Sequence, residues 1–474
     1  FTETHLMEWL ATESTESLLF LPRESVVRLL AMRFIKSFAV CTSVTFWLVL
    51  ANAAAAEESA RRPSLDDALA HLRDKDPKVR LSSIETVKDI AQGGLTPQEG
   101  LRVITAAASL PKFTAGEAAL SGDVCDRLIW ILTETPNRAY VPAIVEAYPN
   151  LSEKAKANVC VVLQMIDTRE AAEAIMNIME RHAKAGRVPR LELHRWKHDA
   201  RFADVLFPKL LEYASGNDAM ASDIDDLALA YCDKGALKTA SLEPYATAMA
   251  RRCGHLRDEL MPLQRDRGID WMFADNYEAL SGKTEILLDL MGHVHSPEID
   301  DELHKALGYR DPRLKTFSIL SLLRQGQTVA ASDVANVAAS AEMRCIVFSE
   351  LEKLGKLALM PDRFKTQKAL AEGDMVQWLA FETELGRPPD EIELMKVIPA
   401  PGEKGAKDWY VFRYRTTEVG YFATKDGWLA GIAGPFSHDG PPSNSGSGTF
   451  SSFNPWEKYS AEEHLQKIVG KDDK

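Results

Sequence analysis

The sequence predicts a mostly α protein: an α-solenoid of stacked helical hairpins, followed by a small C-terminal antiparallel β-sheet module. Three observations carry that expectation. Residues 151–181 read as two amphipathic helices with a tight turn between them. Helix signals continue almost end to end from residue 64 to about 372, broken only by short Asp, Pro, Gly and Asn turns. Beyond Gly373 short alternating segments appear, the pattern of strands.

In the central hairpin, Ser152 stands at an N-cap and places Ala155, Val159, Val162, Leu163 and Ile166 on one helical face. Asp167 and Thr168 interrupt the run, and Ala171, Ala172, Ile175, Ile178 and Met179 repeat the spacing. One hairpin cannot bury both stripes, so the unit implies neighbours of its own kind.

Taken in order, the chain divides into five segments. Residues 1–31 read as an upstream, non-structural extension. Residues 32–56 have the layout of a secretory signal peptide: Arg33 and Lys36, a mostly apolar run over 38–50, then small residues ending in Ala54 and Ala56. Cleavage after Ala56 starts the mature chain at Glu57. The competing reading is an uncleaved anchor over residues 37–56, which hold about the 20 residues a bilayer needs. Cys41 falls inside the apolar run, which disfavours a lipid anchor. The helical array then occupies residues 57–372, a small α+β module 373–437, and a Gly/Pro/Ser-rich linker with a terminal helix 438–474.

Within the array four segments share one spacing. They are Val79-Arg80 with Ser83, Ile84 and Val87; Ala155-Lys156 with Val159, Cys160 and Leu163; Leu314-Lys315 with Ser318, Ile319 and Leu322; and Met343-Arg344 with Val347, Phe348 and Leu351. Two are entered through Asp-Pro, at Asp76-Pro77 and Asp311-Pro312, which suits proline in a first helical turn. In these places the sequence resembles the HEAT-repeat family, and the resemblance implies an α-solenoid used as a binding scaffold. Val79 and Ala155 are 76 positions apart, room for two units of about 38. Residues 191–292 depart from the pattern.

In the C-terminal module, residues 374–385 read as helix and are stopped by Gly386-Arg387-Pro388-Pro389. Strands are expected over 392–398, 408–415, 419–423 and 428–433, with Lys425-Asp426-Gly427 as a hairpin turn. Residues 440–452 read as linker, and Ser460 with Glu463 forms a capping box for a last helix. Along 408–415, Tyr410, Phe412 and Tyr414 alternate with Trp409, Val411 and Arg413, so one set covers a core and the other docks or meets a ligand.

The chemistry-bearing residues are few. His194 and His198 lie four apart on an expected helix, near His182 and Asp199, without HExxH or CxxC. His293, His295 and His304 with Glu298, Asp300 and Asp301 surround an inter-helix turn, where the acids serve equally as helix N-terminal charges. Gly282-Lys283-Thr284 has the end of a phosphate loop but Tyr277 where its first glycine belongs, and residues 445–448 lack GxSxG spacing. We therefore assign no catalytic, cofactor-binding or metal-binding residue. The mature chain keeps Cys125, Cys160, Cys232, Cys253 and Cys345; Cys160 and Cys345 read as small core residues, and Cys232 and Cys253 as either a disulfide or two unrelated thiols.

The 474 residues are 46% hydrophobic and 26% charged, with a formal charge of −13 from 69 acids and 56 bases. Acids and bases are mixed without a long basic run, so a nucleic-acid partner is not expected. Together these readings give an exported, periplasmic or extracellular scaffold or adaptor, not an enzyme, with a protein partner, no cofactor and no membrane span after signal cleavage. The alternative, from a different class, is an envelope enzyme or metal-dependent factor with its site where the helices meet the sheet.

Overall fold

Side-chain caps written in the sequence set where this chain turns. A computed structural model describes residues 64–111, 122–184, 193–216, 218–266, 274, 276–381, 383–400, 407–416, 427–437 and 448–470. The leader expected over 32–56, the extension expected over 1–31 and the strand expected over 419–423 lie outside them. The described chain is mostly helical and ends in a four-stranded antiparallel sheet. No helix among the described residues is long and apolar enough to cross a membrane.

Two compact units are present, one built from the residues up to 135 together with 146–155, the other from 136–145 together with 156 onward. The first contains α1 (Leu65–His71), α2 (Pro77–Gln92), α3 (Pro97–Ala108) and α4 (Val124–Ile131). Asp76 caps α2 by accepting the Lys78 amide at 2.9 Å with Pro77 in the first turn, and Thr96 and Glu99 close a capping box on α3. Helix α2 packs on α1, and α4 packs on α2 and α3, around fully buried Leu72, Val87, Val103 and Leu128. Each such aliphatic side chain contributes about 1.5–3 kcal/mol by leaving water.

Helices α5 (Tyr140–Ala147) and α6 (Glu153–Ile166) carry the chain across the division, and α7 (Arg169–Lys184) follows. The expected hairpin is present. The Ala155 amide donates to Ser152 Oγ at 3.1 Å, Asp167 turns the chain with φ 55°, and the Ala171 amide donates to Thr168 Oγ1 at 3.3 Å. All ten stripe residues predicted on α6 and α7 are buried.

The second unit continues through α8 (Ala203–Leu206), α9 (Lys209–Gly216), α10 (Asp218–Asp233), α11 (Thr239–Leu242), α12 (Ala246–Asp266) and α13 (Tyr277–Met291). Then come α14 (Pro297–Ala306), α15 (Pro312–Arg324), α16 (Ala331–Ala339), α17 (Ala341–Lys353) and α18 (Gln367–Leu379). Sequence neighbours α12 and α13, α14 and α15, and α16 and α17 pack in pairs. Across the pairs α10, α13, α15, α17 and α18 form a row, each packed on the next. Helix α12 also packs on α14.

The shared four-segment spacing has a common structural meaning. Its apolar positions are buried in all four copies except Val79, which is half-buried. In two copies the basic position is buried too and reaches backbone carbonyls at the same upstream offsets. Arg80 donates to the carbonyls of Asp74 and Lys75, six and five residues upstream, and Arg344 donates to those of Ala338 and Ala339 at the same offsets. The guanidinium thus satisfies turn carbonyls that the helix itself leaves unpaired.

Gly373 lies inside α18. A Cβ there would stand 3.0 Å from Cys345 Sγ and 3.1 Å from the Ala341 carbonyl, so its absence lets α18 seat closely on α17. Strands β1 (Glu391–Ala400), β2 (Lys407–Arg415), β3 (Leu429–Ser437) and β4 (Gly448–Pro455) pair in sequence order. Tyr410, Phe412 and Tyr414 face Ala371, Met375 and Leu379 of α18 in one buried cluster. On the opposite parity Val411 and Ile432 are also fully buried. Helix α19 (Ala461–Val469), opened by the expected Ser460–Glu463 capping box, packs on β1, β3 and β4.

Two segments near the C-terminus depart from the sequence reading. The helix expected over 374–385 runs from Gln367 to Leu379, across the expected boundary at 373. Gly448 to Ser452, read as linker, belong to β4. Its Gly and Ser content hides the strand, which is specified by pairing with β3 and by Thr449 and Ser451 donating to the carboxylates of Asp374 and Glu384.

Candidate functional site

The row of α10, α13, α15 and α17 carries charged groups along its seams. At the N-terminus of α15, Asp311 is buried and accepts the Arg313 amide at 2.8 Å through Oδ1. Its Oδ2 accepts the Tyr277 hydroxyl at 2.7 Å and Arg313 Nη2 at 3.3 Å. Gln264 of α12 donates to the same hydroxyl at 3.1 Å and accepts the Arg310 amide at 2.7 Å, so one polar chain ties α12, α13 and α15. Beside it stand Glu285 of α13 and Glu342 of α17, both within the influence of Arg313. Burial pushes the Glu285 carboxyl up to about 7 against the pull of Arg313, with Asp311, Asp289 and Glu342 adding like charge. Glu342 moves in the same direction for the same leading cause.

Further along the seam Arg324 donates to Asp289 Oδ1 at 2.7 Å, and His293 Nε2 lies 3.5 Å from Asp233 Oδ1. Burial raises the Asp289 carboxyl despite Arg324, whereas the neighbouring His293 lowers that of Asp233. Carboxylates therefore outnumber guanidinium groups along this line.

On the other side of α13 a cavity of about 220 Å³ lies among α10, α12 and α13. Its floor is the buried pair Asp225 and Arg252, with Arg252 Nη2 donating to both carboxylate oxygens at 2.7 Å and Nη1 to the Ala214 carbonyl at 3.2 Å. Burial raises the Asp225 carboxyl to about 6, a rise that Arg252 opposes. Ala221, Leu256, Leu280 and Leu287 make the wall. Ser222, His255, Glu259 and Lys283 line the rest, the last three exposed.

The histidines singled out in the sequence do not converge. Residues 193–196 form a 3-10 turn and His198 lies in the turn after it, so the assumed four-residue helical step is not made; the side chains of His182 and His194 lie outside the described residues. Around the second turn, His304 Nε2 pairs with Gln327 Oε1 at 3.2 Å, His293 faces Asp233, and His295 is exposed. Among the described residues no three His, Cys, Asp or Glu side chains are grouped to hold a metal ion. Gly282-Lys283-Thr284 sits within α13, where Thr284 donates to the Leu280 carbonyl at 2.8 Å. Cys232 and Cys253 are free thiols in different surroundings, Cys232 near Asp233 and Arg324, Cys253 near Glu302 and Arg257. Burial holds both thiols up at about 12. Where the helices meet the sheet, the α18 interface is the apolar cluster described above, flanked by the Asp374 carboxylate bonded to Thr449.

Sequence reasoning passed over Asp225, Arg252, Glu285 and Arg313. A signal existed: Asp225 interrupts the buried run of Ile224, Leu227 and Ala228, and Arg252 stands between buried Met249 and Cys253. A charge on a buried stripe needs a partner or a cavity. No family model, curated protein or solved structure matches the chain.

Proposed function

We propose that this chain is an exported, non-catalytic scaffold whose HEAT-like α-solenoid, residues 64 to about 372, binds a protein partner. The observation that supports the reading is the row α10, α13, α15, α17 and α18, in which each helix packs on the next while its paired neighbours pack alongside. A row of that kind offers side chains from successive helices to one extended ligand, the way stacked hairpins bind. The excess of carboxylates along its seams suits a partner segment that is basic or neutral. The C-terminal sheet module then caps the last pair through α18. Export by residues 32–56 places the scaffold in the periplasm or outside the cell, with the leader removed after Ala56.

The test is affinity capture with the processed protein from extracts of its own cell envelope, wild type beside Glu342→Lys. The wild type should retain one protein in a fixed ratio, and charge reversal on the seam should lower the recovered amount about ten-fold. Equal recovery by both, or substrate turnover by the purified chain, would overturn the assignment.

A further inference from the structure

We infer that the cavity among α10, α12 and α13 binds a small zwitterion with an aliphatic tail, of the α-amino-acid kind. This is independent of the scaffold reading. The floor sets no net charge, because Asp225 and Arg252 neutralise each other and are hydrogen-bonded in place. Selectivity therefore rests with the two charges nearer solvent. Glu259 comes from α12 and Lys283 from α13, and both line the cavity. Among the described residues neither takes part in an ion pair, with the other or with a third group. A cation and an anion thus stand on separate helices around one opening, with no counter-ion among the described residues.

A ligand carrying only a carboxylate would meet Lys283 but bring like charge to Glu259. One carrying only an ammonium would do the reverse. A half-enclosed site with an apolar wall penalises either mismatch more than water does. A ligand with both charges close together meets both side chains, and His255 and Ser222 add hydrogen-bonding groups beside them. The remaining wall, Leu256, Leu280 and Leu287, takes an aliphatic or aromatic tail. The volume of about 220 Å³ sits below the usual range of about 300–1,000 Å³ for drug-sized ligands, which selects a single amino acid over a peptide.

Titration calorimetry of the purified protein tests this with L-leucine and its two half-molecules, 3-methylbutylamine and 4-methylpentanoate. Leucine should bind saturably at one site per chain, and each half-molecule about ten-fold or more weakly. Lys283→Met should weaken leucine about ten-fold while strengthening the amine, whose like-charged neighbour it removes, and Glu259→Gln should weaken leucine likewise while strengthening the carboxylate. Both positions are exposed, so circular dichroism and melting should match the wild type. The inference is overturned if leucine, isoleucine, valine, methionine and phenylalanine all give no binding at about 10 mM. It is equally overturned if a half-molecule binds as tightly as leucine, or if both variants bind leucine like the wild type.

Discussion

Two carboxylate–guanidinium sites in the same helical unit use the same ions to opposite ends. At the first, Asp225 and Arg252 are matched one to one, both almost wholly buried, with the guanidinium spanning both carboxylate oxygens and the Ala214 carbonyl. At the second, Arg313 faces Asp311, Glu285 and Glu342, and it donates to Asp311 at 3.3 Å. The matched pair closes a seam. The crowded site leaves negative charge that one guanidinium cannot neutralise, and this adds to the burial that raises the Glu285 carboxyl. Burial raises a carboxyl at both sites, Asp225 to about 6 and Glu285 to about 7, and what separates them is stoichiometry, one acid per guanidinium against three.

The matched site should show the largest effect when broken. Arg252→Met leaves the Asp225 carboxylate buried and alone, a loss of about 3–5 kcal/mol. Adding Asp225→Leu should recover most of that loss, because the cost lies in the unpaired charge and not in the absent bridge. Urea unfolding of the two variants checks this. If Arg252→Met falls within about 1 kcal/mol of wild type, the cavity floor is wetter than its burial implies and the contrast between the sites fails.

The crowded site should answer to pH. Glu285 has its folded-state carboxyl raised from 4.5 to about 7, so the folded protein holds this proton more tightly than the unfolded chain does. Its contribution favours folding below pH 4.5 and is lost as pH rises through about 7. Glu285→Gln removes that loss. The variant should match wild type at pH 4 and exceed it by roughly 1–3 kcal/mol at pH 8. Unfolding measured at both pH values decides the matter, and a difference that does not change with pH would show that Arg313 neutralises all three acids.

How far the sequence anticipates these sites follows from what periodicity can encode. The stripe on α6 and α7, the Asp-Pro entries of α2 and α15 and the Ser460–Glu463 box depend on residues within one turn of each other, and all are legible. The buried uses of Arg80 and Arg344 are half-legible: the basic position recurs, but nothing local tells them from half-buried Lys156 and Lys315. Asp225 and Arg252 are 27 positions apart, and Glu285 and Glu342 are 57 apart, so their meeting depends on how helices pack and leaves no spacing to read. Strand β4 was missed for a related reason. Its hydroxyls find partners on α18 and just beyond it, at Asp374 and Glu384, across some seventy residues.

The smallest effect should come from an ion pair that is neither buried nor crowded. Asp66 of α1 and Arg102 of α3 meet at 2.8 Å, with side chains 66% and 46% exposed. Geometry here is as good as at Arg252, and both carboxylate oxygens accept from Arg102 Nη1. Solvent, however, screens the attraction and competes for every hydrogen bond, while holding two side chains in one arrangement costs conformational entropy. A double-mutant cycle with Asp66→Asn and Arg102→Met should therefore give a coupling of about 0.2–1 kcal/mol, shrinking further in about 1 M salt. The same cycle across Asp225 and Arg252 should give a several-fold larger coupling that salt changes less, because both side chains are almost wholly buried. Equal couplings at the two pairs would mean that distance alone governs these interactions, and the distinction between matched, crowded and exposed sites would lose its physical basis.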